Sequence, residues 1–140
     1  LSRDQLGCPA PDLARIEPTS RSTKRVVYAA EALDSTLVMP CDVRNPGELE
    51  AVFDEIGRKW GRLDFVLHSI AYAPREDLHG RVVDASASGF SIAMDVSVHS
   101  FLRIARLAEP LMTTGGTLLT ATFYGSNRVT AHYNLMGPVK

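Results

Sequence analysis

Three short apolar runs, at 36–41 (TLVMPC), 63–70 (LDFVLHSI) and 117–123 (TLLTATF), alternate with segments of helical period. This alternation constrains the fold more than any other feature of the sequence. Runs of such length, bounded by turn residues, suit strands buried on both faces, and strands separated by helices join through crossovers into a parallel sheet. The helices are legible as well. Val26, Val27, Ala30 and Leu33 recur at helical spacing. Leu49, Val52, Phe53, Ile56 and Trp60 form one apolar stripe. Asn45 is placed to cap that helix, Pro46 suits its first position, Glu48 completes a capping box and Gly61 stops it. A long helix is expected over 88–109, with Phe90, Ala93, Met94, Val98, Phe101, Leu102, Ala105 and Ala108 on one face. Ile92, Val96, Ile104 and Leu107 add apolar surface elsewhere on it, so it needs cover on more than one side, from the sheet and from a further surface such as another subunit. The segment from Tyr133 reads as the start of another helix. The class is α/β, with a doubly wound parallel sheet.

At 140 residues, 45% of them apolar and 22% charged, the chain has the makings of one domain with a real core. Residues 1–22 mix three prolines with scattered charge and read as an irregular lead-in, with room for a short helix at 12–16; residues 23–140 carry the patterned domain. Fifteen basic against sixteen acidic residues leave a net charge of −1, which favours no nucleic-acid partner. No apolar run approaches the ~20 residues of a membrane span, and no secretory pattern opens the chain. Cys8 and Cys41 make no disulfide framework, and His68, His79, His99 and His132 show no metal-ligand spacing. A reduced, cytoplasmic protein without a metal centre is expected.

In an open parallel sheet, ligands bind outside the carboxyl ends of the strands. Those ends offer Asp42-Val43, Ser69-Ile70-Ala71 and Phe123-Tyr124-Gly125. Asp42 suits either the capping of a turn or the acceptance of a hydrogen bond from an adenine amino group, with Val43 as an apolar wall. Ser69, Ile70 and Ala71 suit either ordinary strand-end packing or the close approach of a flat ligand. Tyr133 and Lys140 are seven residues apart, which on a continuous helix places them on one face, two turns or ~10.5 Å apart. A phenol can stabilise or protonate an oxygen on which hydride addition builds charge, and a lysine beside it can hold a nucleotide ribose. Taken alone, that spacing is a weak signal, more readily a coincidence; only its position after the third strand of an α/β chain gives it weight. Gly137-Pro138 complicates the geometry, because proline kinks a helix interior.

The runs HSIAYAP at 68–74, LHGRVVD at 78–84, MDVSVHSF at 94–101, AEPLM at 108–112, GGTLLTATFYGS at 115–126 and AHYNLMGPVK at 131–140 closely resemble the enoyl-[acyl-carrier-protein] reductases, divergent members of the short-chain dehydrogenase/reductase superfamily. The resemblance runs from about Thr23 to Lys140. It implies a Rossmann sheet, NADH-dependent reduction of a trans-2-enoyl thioester carried on acyl carrier protein, and a homotetramer. By position it makes Tyr133 the catalytic tyrosine and Lys140 the ribose-binding lysine. Asp42 and Val43 become adenine contacts; Ser69, Ile70 and Ala71 lie beside the cofactor, and Ala73 and Phe123 line the acyl site with Tyr133. Many family members carry a second active-site tyrosine where Phe123 stands, so the contribution of that hydroxyl is lost or supplied differently.

The resemblance also implies that the family's first strand, its glycine-bearing pyrophosphate loop and its second strand are not among the residues matched, and that its later strands fall beyond Lys140. Roughly half of a complete enzyme is expected here, inactive by itself. In the strand order 3-2-1-4-5, the missing strands belong between 36–41 and 63–70, a gap of ~10 Å. Direct parallel pairing of 36–41 with 63–70 is expected to close it. Two other functions compete: a carbonyl or alcohol dehydrogenase of the same superfamily, disfavoured by the six residues between Tyr133 and Lys140, and a non-catalytic oligomerising fragment.

Overall fold

Two of the apolar runs form strands, β1 (Phe65–His68) and β2 (Thr117–Thr120), and they pair in parallel with Phe65 opposite Thr117 and His68 opposite Thr120. The computed structural model describes residues 21–35 and 37–140. Its chain divides after Pro40 into two compact units. The expected lead-in at 1–22, with its short helix, lies outside the described residues except for Arg21 and Ser22, which open α1 (Arg21–Ala32) in the first unit. All other elements belong to the second unit.

The third apolar run departs from expectation. Residues 37–41 form no strand where one was expected to pair with 63–70, and among the described residues β1 pairs with β2 alone; Thr36 lies outside the described residues. A strand exists only where a neighbour accepts its ladder, and Pro40 contributes no N–H to one.

Helix α2 (Glu48–Trp60) carries the predicted stripe, with Leu49 and Phe53 buried, and ends at Gly61 with φ 72°. Its start differs from the expected capping box. Gly47, at φ 85°, holds the N-cap position, and Pro46 lies before it in the turn. Glu48 reaches back nonetheless: its carboxylate accepts the Asp42 N–H at 2.7 Å and the Asn45 side-chain amide at 2.7 Å.

The long helical run is continuous from Ala87 but not uniform. It comprises α3 (Ala87–Met94), a wider π-helical turn (Asp95–His99), α4 (Ser100–Ala108) and a 3₁₀ turn at Glu109–Leu111. The π turn shifts the phase of the helix. Ala93, Val96, Ser97, Ser100, Ile104 and Ala108 are consequently buried, whereas Phe90 and Leu102, expected inward, are 48% and 61% exposed. The two serines are buried because each is satisfied: Ser97 by the Tyr72 backbone, Ser100 by His68 and the Val96 carbonyl.

Val43, Leu49, Phe53, Val96, Ile104 and Ala108 form the core, with Val66 and Ile70 packed against it. Helices α2 and α4 thus cover the Val66–His68 side of β1, while Phe65 and Leu67 face the other way and are exposed. Strong apolar periodicity placed these elements. Their packing fixes the carboxyl ends of the strands.

Candidate active site

The carboxyl ends of β1 and β2 are joined by one more rung, the Ala121 N–H donating to the His68 carbonyl at 3.0 Å. Beyond β1 come Ser69 and Ala71, small and exposed, flanking Ile70, which is half-buried against the core. Tyr72 is then fastened to the π turn, because the Ser97 hydroxyl accepts from its N–H at 3.0 Å and donates to its carbonyl at 3.1 Å. Ala73 follows, half-buried.

Asp42 approaches the same edge from the 41–47 turn. The Arg44 guanidinium lies 5.9 Å from the centre of the Tyr72 ring and also clamps the Asp42 carboxylate, at 3.0 Å through Nε and 2.6 Å through Nη2. These hydrogen bonds pull the Asp42 pKa down to about 2, so the group is ionised at neutral pH. A carboxylate has about four lone-pair sites and retains acceptor capacity beside Arg44. Val43 points elsewhere: it is 4% exposed and belongs to the core.

The segment after β2 assembles the rest. The Phe123 and Tyr133 rings lie 4.9 Å apart at 54°. Gly125, in the 3₁₀ turn Tyr124–Ser126, is buried under the Tyr133 ring; a Cβ there would fall 2.5 Å from Cδ1 and 2.7 Å from Cε1. Burial raises the Tyr133 pKa, keeping the phenol protonated. Lys140 donates from Nζ to the Ala121 carbonyl at 2.8 Å, and its own carbonyl accepts from Thr122 Oγ1 at 2.9 Å. Tyr133 and Lys140 therefore converge on residues 121–125.

They do not share a helical face, as the sequence reading expected. Helix α5 spans only Met136–Val139, Lys140 is its C-cap, and Tyr133 lies before it in a turn. His132 at φ 57° and Asn134 at φ 25° flank the tyrosine in left-handed conformations that no helix contains. The two side chains are related through residues 121–123, just beyond β2, and not through a helix.

Two features carried no sequence signal. His68 is 2% exposed and bridges three elements, with Nε2 2.7 Å from Ser100 Oγ and Nδ1 3.3 Å from Thr120 Oγ1. Because Ser100 spends its proton on the Val96 carbonyl at 2.6 Å, Nε2 carries the ring hydrogen and Nδ1 accepts. Burial lowers the His68 pKa. The second feature is the pair His79 and His132, whose Nδ1 atoms are 3.2 Å apart although 53 residues separate them in the chain.

A lysine ammonium, a protonated phenol and a small-residue shelf, all near the carboxyl edge of a parallel sheet, are groups that could hold a dinucleotide. Residues 13–140 match the family model described as enoyl-(acyl carrier protein) reductase. The chain belongs to that family. Among curated relatives, it is 42% identical over 117 residues to the NADH enoyl-[acyl-carrier-protein] reductase 1 of Rhizobium meliloti, covering 84% of this chain and 43% of the relative. A solved enoyl-(acyl-carrier-protein) reductase from Anaplasma phagocytophilum, in complex with NAD, superposes with a TM-score of 0.80 at 43% identity over 86% of this chain and 47% of that one. The Aquifex aeolicus enzyme superposes with the same TM-score, 0.80, at 41% identity over 86% of this chain and 49% of its own. The chain thus spans about half the length of these reductases. The likeness also establishes the fold class: a Rossmann-type α/β arrangement, of which this chain supplies a part.

Proposed function

We propose that the protein carrying this chain is an NADH-dependent enoyl-[acyl-carrier-protein] reductase of fatty-acid biosynthesis, acting in the cytoplasm as a homotetramer. The observation that carries this reading is the convergence of Tyr133, Phe123 and Lys140 on residues 121–125, beside Ser69-Ile70-Ala71. NADH, when bound, would supply a hydride to the β-carbon of the trans-2-enoyl thioester and leave as NAD+, with solvent water supplying the proton taken up at the α-carbon. The Tyr133 phenol, kept neutral by burial, donates a hydrogen bond to the thioester oxygen as negative charge builds there. Lys140, held by the Ala121 carbonyl, donates to the ribose hydroxyls. Ser69, Ile70 and Ala71 would form the shelf that holds the cofactor, and Asp42 would accept from the adenine amino group. Val43 supports this edge from within the core.

Phe123 has no hydroxyl to offer; it orients the Tyr133 ring through their tilted ring contact and, with Ala73, lines the acyl site. Residues 23–140 make up this part of the dinucleotide-binding domain. Exposed Phe90 and Leu102 on the long helical run favour a subunit interface. No described helix is long and apolar enough to cross a membrane.

The test is NADH oxidation by the whole protein with a crotonyl thioester. Tyr133→Phe is expected to lower kcat about 100-fold or more, the scale of one lost oxyanion donor, with the KM for NADH little changed. Lys140→Met is expected to raise the KM for NADH instead. A Tyr133→Phe enzyme that turns over at the parental rate would overturn the assignment, as would a parent enzyme that oxidises secondary alcohols and ignores the thioester.

A further inference from the structure

We infer that His79 and His132 form a chelating site for one divalent transition-metal ion of the imidazole-preferring kind, such as Zn²⁺. Both rings are exposed, and their Nδ1 atoms are 3.2 Å apart. Two imidazole nitrogens bound to one zinc at ~2.05 Å with tetrahedral angles stand roughly 3.3 Å apart, so the observed separation is already that of a chelate. The rings meet edge to face, with centroids 5.3 Å apart. Without metal, one Nδ1 donates its hydrogen to the other. Metal binding needs both Nδ1 lone pairs, which the rings supply when they carry their hydrogens on Nε2.

The pair is held in place by groups other than the rings. Asn134 Nδ2 donates to the His79 carbonyl at 2.8 Å and to the Arg81 carbonyl at 3.4 Å, tying the 79–81 loop to the turn that carries His132. His132 at φ 57° and Gly80 at φ 80° aim the two loops at each other. Ordering the ligands beforehand removes much of the entropy cost of chelation. The one positive side chain in the 79–81 loop, Arg81, is 3.8 Å from the Asp84 carboxylate, which offsets its repulsion of a cation. No third His, Cys, Asp or Glu completes a cluster among the described residues, so water fills the remaining positions. Such a site favours Zn²⁺, Ni²⁺ or Cu²⁺ over Mg²⁺ and Ca²⁺, which demand oxygen ligands.

The experiment is calorimetric titration of the full chain with Zn²⁺ near neutral pH, with Cys8→Ser and Cys41→Ser introduced to remove competing thiols. One Zn²⁺ per chain is expected, and either His79→Ala or His132→Ala is expected to weaken it at least tenfold. Because Asn134 grips His79 through its backbone carbonyl, His79→Ala leaves that tie intact. Hydrogen exchange is expected to slow at 79–81 and 131–134 on adding Zn²⁺, and Mg²⁺ to have no effect. Binding that survives both histidine substitutions, or that is lost on His99→Ala alone, would overturn the proposal. So would the absence of any Zn²⁺ binding to the folded chain. None of these readouts involves reductase activity, so the site stands or falls apart from the proposed reaction.

Discussion

Replacing Gly89 by alanine ought to stabilise a helix, and here it is predicted to do the opposite. Gly89 lies in the first turn of α3, where alanine is favoured over glycine by about 1 kcal/mol. A Cβ at this position, however, would collide with Asp77 Oδ2 and fall 2.8 Å from Ser86 Oγ. Asp77 is 6% exposed and accepts from the Ser86 N–H at 2.7 Å and the Ser86 hydroxyl at 2.9 Å, while Ser86 Oγ accepts the Gly89 N–H at 2.9 Å. The methyl group therefore breaks the N-cap, worth about 1 kcal/mol, and one charge-assisted hydrogen bond, worth about 1.5–3 kcal/mol. Subtracting the propensity gain leaves a net loss of about 2 kcal/mol, or a urea midpoint lower by roughly 1 M for a chain of this size. Urea unfolding followed by circular dichroism measures it. Asp77→Ala in the Gly89→Ala background should cost less than the sum of the single changes, because the carboxylate that collides is gone. A Gly89→Ala midpoint equal to or above the parent's would refute the reasoning.

Two further predictions concern the site and its support. Gly125→Ala should force the Tyr133 ring off Phe123 and away from its present position, since the new methyl would lie 2.5 Å from the ring and 3.3 Å from Thr130 Oγ1. Turnover by the whole protein should fall about 100-fold, as for a reacting group displaced by ~1 Å, and the near-ultraviolet circular dichroism should change; unchanged turnover would contradict the packing. His68 predicts a pH dependence of stability. Above its unfolded pKa of about 6.5 the ring is neutral in both states and contributes no slope; below it the unfolded chain takes up a proton that the buried ring resists, so stability falls as pH drops towards the folded pKa. The loss in urea midpoint between about pH 7.5 and pH 5.5 should shrink in His68→Gln, and an equal loss in both proteins would argue against it.

Legibility in the sequence followed the length of the signal. Helix α2 has a five-residue apolar stripe and a glycine stop, and both are where the pattern put them. Strands β1 and β2 lie inside the runs at 63–70 and 117–123, trimmed to four residues each. The run at 36–41 looked the same to a periodicity argument, yet strand formation depends on a partner edge that no local pattern encodes. The inner face of the long helix was only partly legible: Ala93 and Ala108 lie inward as expected, but the π turn, unmarked in the apolar spacing, brings Val96, Ser97 and Ser100 in beside them. Tyr133 and Lys140, singled out by their motif, both approach residues 121–125, but from a turn and the end of a four-residue helix and not from one helical face. Two left-handed residues around the tyrosine, neither of them glycine, are difficult to anticipate from residue type. The His79–His132 contact depends wholly on tertiary structure.

The wide turn at Asp95–His99 also governs how the two halves of the long helix are coupled. In a regular α-helix each four-residue step over-rotates by about 40°, so Val96, Ser100, Ile104 and Ala108 would wind progressively off the core. A turn that closes five residues apart rotates each residue less, and the step from Val96 to Ser100 cancels part of that winding. The segment is in effect a one-residue spacer. Excising Val98 or His99 would return the helix to regular winding with its flanking halves close to their present phase, but it would leave Ser97 and Ser100 two residues and about 200° apart, so that the shortened chain could keep Ser97 on Tyr72 or Ser100 on His68, but not both.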